Sequence, residues 1–128
     1  MKKNPLMFVS HILESFELIE EYAKNVTKEA LEKNEMKTDA IVRRIEIIGE
    51  ATKNIPNSLK TMYPDIPWKD MAGMRDIIIH QYYGVEIDEI WKVMKIDTPK
   101  IKKEIKQILK NLENEAKSDK VFPDSKLK

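Results

Sequence analysis

One stretch of the chain gathers residue types able to move a proton and hold a phosphate. It reads Gly73-Met74-Arg75-Asp76-Ile77-Ile78-Ile79-His80-Gln81-Tyr82-Tyr83-Gly84. His80 is the natural acid or base, because an imidazole titrates close to neutral pH. Arg75 offers a fixed cation whose planar fork matches phosphate oxygens. The intervening isoleucines are of core type, so the segment reads as a helix end. On a helix turning about 100° per residue, Asp76 and His80 lie about 40° apart. As i,i+4 neighbours, the carboxylate can hold the imidazole and raise its basicity. Arg75 and Tyr82 are about 20° apart on the same wheel, but Arg75 and His80 are about 140° apart. Three arrangements reunite them: a distorted helix end, an arginine that wraps round, or a site built from two chains about a two-fold axis.

A base and a phosphate-binding cation are the minimal needs of metal-independent RNA cleavage. The base takes the proton of the 2′-hydroxyl, which attacks the adjacent phosphate, and the cation stabilises charge on the phosphorane oxygens. DNA lacks that internal nucleophile, so the chemistry selects RNA. Other chemistries find little support. The chain has no cysteine, which excludes disulfides, thiol nucleophiles and thiolate metal sites. It has two histidines, His11 and His80, without the HExxH spacing of a zinc protease. No cofactor is implied. Lys and Arg total 23 against 22 Asp and Glu, a net charge of +1 with His neutral. That balance argues against a strong non-specific RNA binder and puts recognition in a local cleft around Arg75.

The elements that must position these residues are all helical. The 128-residue chain is of single-domain length, and helical periodicity runs through nearly all of it. A first helix is expected from Pro5 to about Leu31, with Phe8, Ile12, Phe16, Ile19 and Val26 inward. Lys33-Asn34-Glu35 reads as a polar break. A second helix is expected from Thr38 or Asp39 as N-cap to about Asn54, with Ile41, Ile45, Ile48 and Thr52 on its inner face. Gly49 inside it costs roughly 1 kcal/mol against Ala, and close approach of another helix is the expected compensation. Pro56, Pro64 and Pro67 forbid one helix through that segment; Ser58 is expected to cap a short turn. The helix carrying Arg75 then runs from Pro67 to Gly84, a natural C-cap. Asp88 is read as the cap of a short helix with Ile90, Trp91 and Met94. Thr98-Pro99 reads as a cap and first position, opening a last helix striped by Ile101, Ile105, Ile108 and Leu112. The fold class is therefore an all-α bundle of four to five helices over residues 1–116, with a polar tail over 117–128. The longest purely apolar run is Ile77-Ile78-Ile79, so no membrane span or membrane partner is expected and the cytoplasm is the default location.

Other residues read blandly. His11 is taken as scaffold, Trp68 and Trp91 as core or interface anchors, and Tyr83 as a packing aromatic. Glu46 and Glu50 are taken as solvated or salt-bridged acids rather than a metal pair. Gly73 suits close helix approach at a dimer seam. From Lys100 onward there are 9 Lys against 5 Asp plus Glu, an excess read as a solvated face.

The motif Arg75-x4-His80-x-Tyr82 resembles the Arg-x4-6-His signature of HEPN domains, in the Arg-x4-His-x-Tyr form of the HepT toxins of MntA/HepT systems. "AIVRRIEIIGEATKNIP" (Ala40 to Pro56), "YPDIPWKDMAGMRDIIIHQYYGV" (Tyr63 to Val85) and Trp91 extend the resemblance over most of residues 5 to 112. One position departs from it: the residue after the arginine is commonly Asn, and here it is Asp76, which still accepts from His80 but adds negative charge. The resemblance implies a HEPN-type homodimer with Arg75 and His80 of both subunits in a composite cleft. It also implies a toxic ribonuclease, and a nucleotidyltransferase antitoxin resembling MntA that transfers AMP from ATP to Tyr82. The alternative reading is a non-catalytic helical dimer that binds nucleotide and a nucleotidyltransferase partner.

Overall fold

The computed structural model describes residues 4–80 and 87–121, and their side chains apart from those of 77–80 and 118–121. Among the described residues there is no strand. The elements are α1 (Pro5–Ala23), α2 (Lys28–Lys33), α3 (Glu35–Lys53), α4 (Asn57–Met62), α5 (Trp68–His80), α6 (Ile87–Lys92), a π-helical turn (Val93–Asp97) and α7 (Thr98–Val121). The all-α expectation holds, with more helices among the described residues than the four to five expected. None of these helices is long and apolar enough to cross a membrane.

α3 packs against α1 on one side and α5 on the other, and α1 also packs on α7. The seams are the stripes legible in the sequence. Ile12, Phe16 and Ile19 of α1, Ile41, Ile45 and Ile48 of α3, and Ile105 and Ile108 of α7 are all fully buried. Each such side chain contributes roughly 1.5–3 kcal/mol by leaving water. Met71 and Met74 bring α5 into the same core. Trp68 is buried too, with its indole N–H donating to the Tyr63 carbonyl at 3.0 Å. The Tyr63 hydroxyl in turn accepts from Asn111 of α7 at 2.9 Å.

Several boundaries differ from expectation for local reasons. The first helix stops at Ala23 rather than near Leu31. Asn25 takes φ 58, the left-handed conformation that Asn tolerates better than most residues, and the Thr27 side chain then caps α2 by accepting from the Ala30 amide at 3.1 Å. The next helix is capped by Asn34, whose Oδ1 accepts from the Lys37 amide at 3.0 Å. Thr38 lies inside that helix and donates its hydroxyl to the Leu31 carbonyl at 3.0 Å. α4 starts at Asn57, one residue before Ser58, because the Pro56 carbonyl already accepts from the Leu59 and Lys60 amides.

Thr98-Pro99 does not break the chain into two helices. Thr98 has helical φ and ψ, and its amide and hydroxyl both donate to the Val93 carbonyl, the hydroxyl at 2.7 Å. A proline ring at position 99 clashes with the carbonyl four residues back, and one widened π turn relieves that clash. α7 continues to Val121, past the Lys117 at which a tail is expected. Lys28 of α2 pairs with Asp88 of α6, and that hydrogen bond raises the lysine above its ordinary value. The expected C-cap at Gly84 lies outside the described residues.

Candidate functional site

Arg75 is placed by a close crossing of α3 and α5. A Cβ added to Gly49 would stand 3.1 Å from the Arg75 Cβ and 3.5 Å from the Ala72 carbonyl oxygen. The helix-interior glycine expected to permit close approach does so, and the residue it admits is Arg75 itself. One position further along α3, Glu50 takes the arginine's charge: Arg75 Nη1 donates to Glu50 Oε1 at 2.6 Å. Both side chains stay partly in water, 37% and 53% exposed. The pair therefore orients the guanidinium without withdrawing it from solvent.

Asp76, the next residue, turns to another cation. Its Oδ1 stands 4.0 Å from Lys53 Nζ, with both side chains well exposed. Glu50 and Lys53 thus receive Arg75 and Asp76 in register, two crossed charge pairs along one helix seam. His80 closes α5, and its side chain lies outside the described ones, as do all of Tyr82 and Tyr83. The expected contact between Asp76 and His80 therefore falls outside the described residues. Arg75 and His80 do lie on one helix, five positions or about 7.5 Å of rise apart.

Arg75 opens onto a cleft of about 270 Å3 between α1, α3 and α5. Glu46 and Glu50 line it from α3 beside Arg43, and Phe8 and His11 line it from α1. Arg43 stands 3.9 Å from Glu46. Reading Glu50 as a salt-bridged acid agrees with this geometry, though its partner, across an |i−j| of 25, was not legible in the local pattern. His11 is exposed on the cleft wall, which a purely scaffold role does not require. Its sequence signal was the i,i+3 step from Phe8, which puts both on one face of α1. Gly73 has open space where a side chain would be, so it serves no close approach among the described residues.

The Arg75 guanidinium is thus held by Glu50 yet partly open to a cleft of mixed polar and apolar lining. The class the fold defines is a small all-helical bundle with a cleft at the crossing of α1, α3 and α5. The chain belongs to the HepT-like ribonuclease family, whose model matches residues 12–108. It is similar to a protein of Thermococcus cleftensis provisionally named ribonuclease HepT, with 41% identity over 86% of this chain and 100% of that one. A protein of Methanocaldococcus jannaschii is 48% identical over 88% of this chain. That relative bears a gamma-glutamylcyclotransferase name together with a provisional RNase one, and the match spans 51% of its length. A provisionally named RNase of Caldanaerobacter subterraneus is 40% identical over 84% of this chain and 96% of its own. No solved structure matches the chain.

Proposed function

We propose that this protein is the ribonuclease toxin of a toxin–antitoxin pair, cutting RNA without a metal at a cleft built around Arg75 and His80. The observation that carries the reading is the accessible Arg75 guanidinium, oriented by Glu50 over a cleft, in a chain of the HepT-like ribonuclease family. His80 removes the 2′-hydroxyl proton, and the freed oxygen attacks the neighbouring phosphorus. The bond from phosphorus to the 5′-oxygen breaks, leaving a 2′,3′-cyclic phosphate, and the departing oxygen takes up a proton. Arg75 neutralises the charge that builds on the non-bridging oxygens. A homodimer supplies a second His80, so that one imidazole acts as base and the other as acid. Asp76 supports the site as a carboxylate one turn before His80.

Control of the toxin falls to a nucleotidyltransferase antitoxin that resembles MntA and transfers AMP from ATP to the Tyr82 phenol. The transfer joins the phenol oxygen to the α-phosphorus and releases pyrophosphate. The new phosphodiester puts bulk and negative charge about 20° from Arg75 on the helical wheel, where it competes for the cation that RNA needs.

The testing experiment is RNA incubation in EDTA with wild type, Arg75→Ala and His80→Ala. Cleavage by wild type that both variants lose supports the reading. Wild type free of AMP by intact mass that cuts no RNA sinks it. That result would favour the second reading, a non-catalytic dimer binding nucleotide and a nucleotidyltransferase. The occupancy of Arg75 by Glu50 is the observation on its side.

A further inference from the structure

A groove between α1 and α3 leads away from Arg75. The cleft at Arg75 and a second one of about 220 Å3 share His11 and Ile47 as walls, so the two adjoin. The second cleft is lined by Glu14, Ser15 and Arg44 as well. Two polar groups there are unspent. Ser15 Oγ is buried with no hydrogen-bond partner among the described residues, whereas Thr52 of α3 donates to the carbonyl one turn back at 2.7 Å. Arg44 forms no ion pair among the described residues, while Arg43 and Arg75 face Glu46 and Glu50. Native folds leave few buried polar groups unsatisfied, and each one calls for an account.

We propose that this groove is a subsite for the RNA strand flanking the cleaved bond. Arg44 takes a neighbouring phosphate, and the exposed His11 imidazole stacks on the base between the two arginines. The proposal rests on the ribonuclease reading of the Arg75 cleft. Arg44 precedes Glu50, the partner of Arg75, by six positions on α3, about 9 Å of helix rise. That is a span on the scale of neighbouring nucleotides. A cation for phosphate beside an aromatic face for a base is how single-stranded RNA is held. His11 has Phe8 one turn away on the same wall, which extends the stacking surface. Glu14, Glu46 and Glu50 share the groove with three arginines, so the groove attracts placed phosphates rather than polyanions in general.

The test uses the full chain and a single-stranded 2′-O-methyl oligoribonucleotide, which lacks the nucleophile and is not cut. The chain has two histidines, so imidazole NMR signals are assigned with one His11→Gln variant. The His11 signals are expected to move on titration. His11→Ala and Arg44→Gln are expected to bind the oligomer about tenfold more weakly, the size of one lost base stack for His11 and of one lost charge-assisted phosphate contact for Arg44. The loss should be smaller for a dinucleotide, and Arg44→Lys should restore part of it. Circular dichroism and melting curves report whether each variant is folded. RNA cleavage and oligomer binding by wild type with unmoved His11 signals, or with folded variants that bind as tightly, overturn the subsite alone. A wild type that neither cuts RNA nor binds the oligomer overturns the ribonuclease reading and the subsite together.

Discussion

Glu50 and Arg75 are joined by a 2.6 Å hydrogen-bonded ion pair one residue from Gly49, where α5 lies close against α3. The geometry couples packing to charge. Gly49 sets how near α5 comes, since its missing side chain leaves room for the Arg75 Cβ. Glu50 then fixes where the guanidinium points. A change at either residue acts on the same cation by a different route.

Packing gives the first prediction. Gly49→Leu inserts a branched side chain where even a Cβ would stand 3.1 Å from Arg75. Overpacking of this kind costs about 1–3 kcal/mol, and it should push α5 away from α3. Urea unfolding should show a lower midpoint with an unchanged slope, and RNA cleavage should fall. Gly49→Ala should stay within about 1 kcal/mol of wild type, because the gain in helix propensity offsets the tight contact. A Leu variant as stable as wild type would show that the crossing is looser than the described geometry.

Charge gives the second. Exposed ion pairs contribute about 0.2–1 kcal/mol, so Glu50→Gln should barely move the melting temperature. Its effect on binding should be larger in kind. A glutamine oxygen still accepts from Arg75, but the carboxylate charge that opposes an incoming phosphate is gone. RNA binding by fluorescence anisotropy should tighten several-fold and depend more steeply on salt. Weaker binding by a folded Glu50→Gln would mean that the charge of Glu50 organises the site rather than screens it.

Periodicity made the framework legible. Ile12, Phe16, Ile41, Ile45, Ile48, Ile105 and Ile108 recur at helical steps, and all are buried. Gly49 was legible as a close approach because a helix-interior glycine is costly without one. Caps were less legible: Thr38 and Asp39 were the expected N-caps, whereas Asn34, read as part of a polar break, accepts from the Lys37 amide and the Thr38 hydroxyl donates to the Leu31 carbonyl instead. The π turn was hidden because Thr98-Pro99 has the same local signature as a helix start. The Arg75–Glu50 pair and the His11 wall depend on how helices distant in sequence cross, which no local pattern encodes. The motif residues His80 and Tyr82 rest on the Arg-x4-His-x-Tyr resemblance.

Core burial supplies a stability prediction independent of function. Ile45 is fully buried at the centre of α3, whereas Met36 near its start is 84% exposed. Ile45→Ala should cost about 2–5 kcal/mol through lost transfer energy and a residual cavity. Met36→Ala should stay within about 0.5 kcal/mol. Paired denaturant curves check both, and equal effects would place α3 in the wrong rotational setting.

Modification gives the last prediction, and it separates Tyr82 from Tyr83. On the helical wheel of the sequence, Tyr82 falls about 20° from Arg75 and Tyr83 about 80° from it on the other side. In the proposed control, an adenylyl group on Tyr82 carries the phosphodiester charge that competes for Arg75. Incubation with the cognate nucleotidyltransferase and ATP should therefore add AMP-sized mass to wild type and to Tyr83→Phe, and none to Tyr82→Phe. The modified wild type should lose RNA cleavage together with RNA binding, because the cation that both require is taken. Tyr82→Phe should keep cutting RNA in the presence of the partner and ATP. If Tyr82→Phe still gains the mass, the acceptor is another residue; if modified protein still binds RNA with wild-type affinity, the control does not run through Arg75.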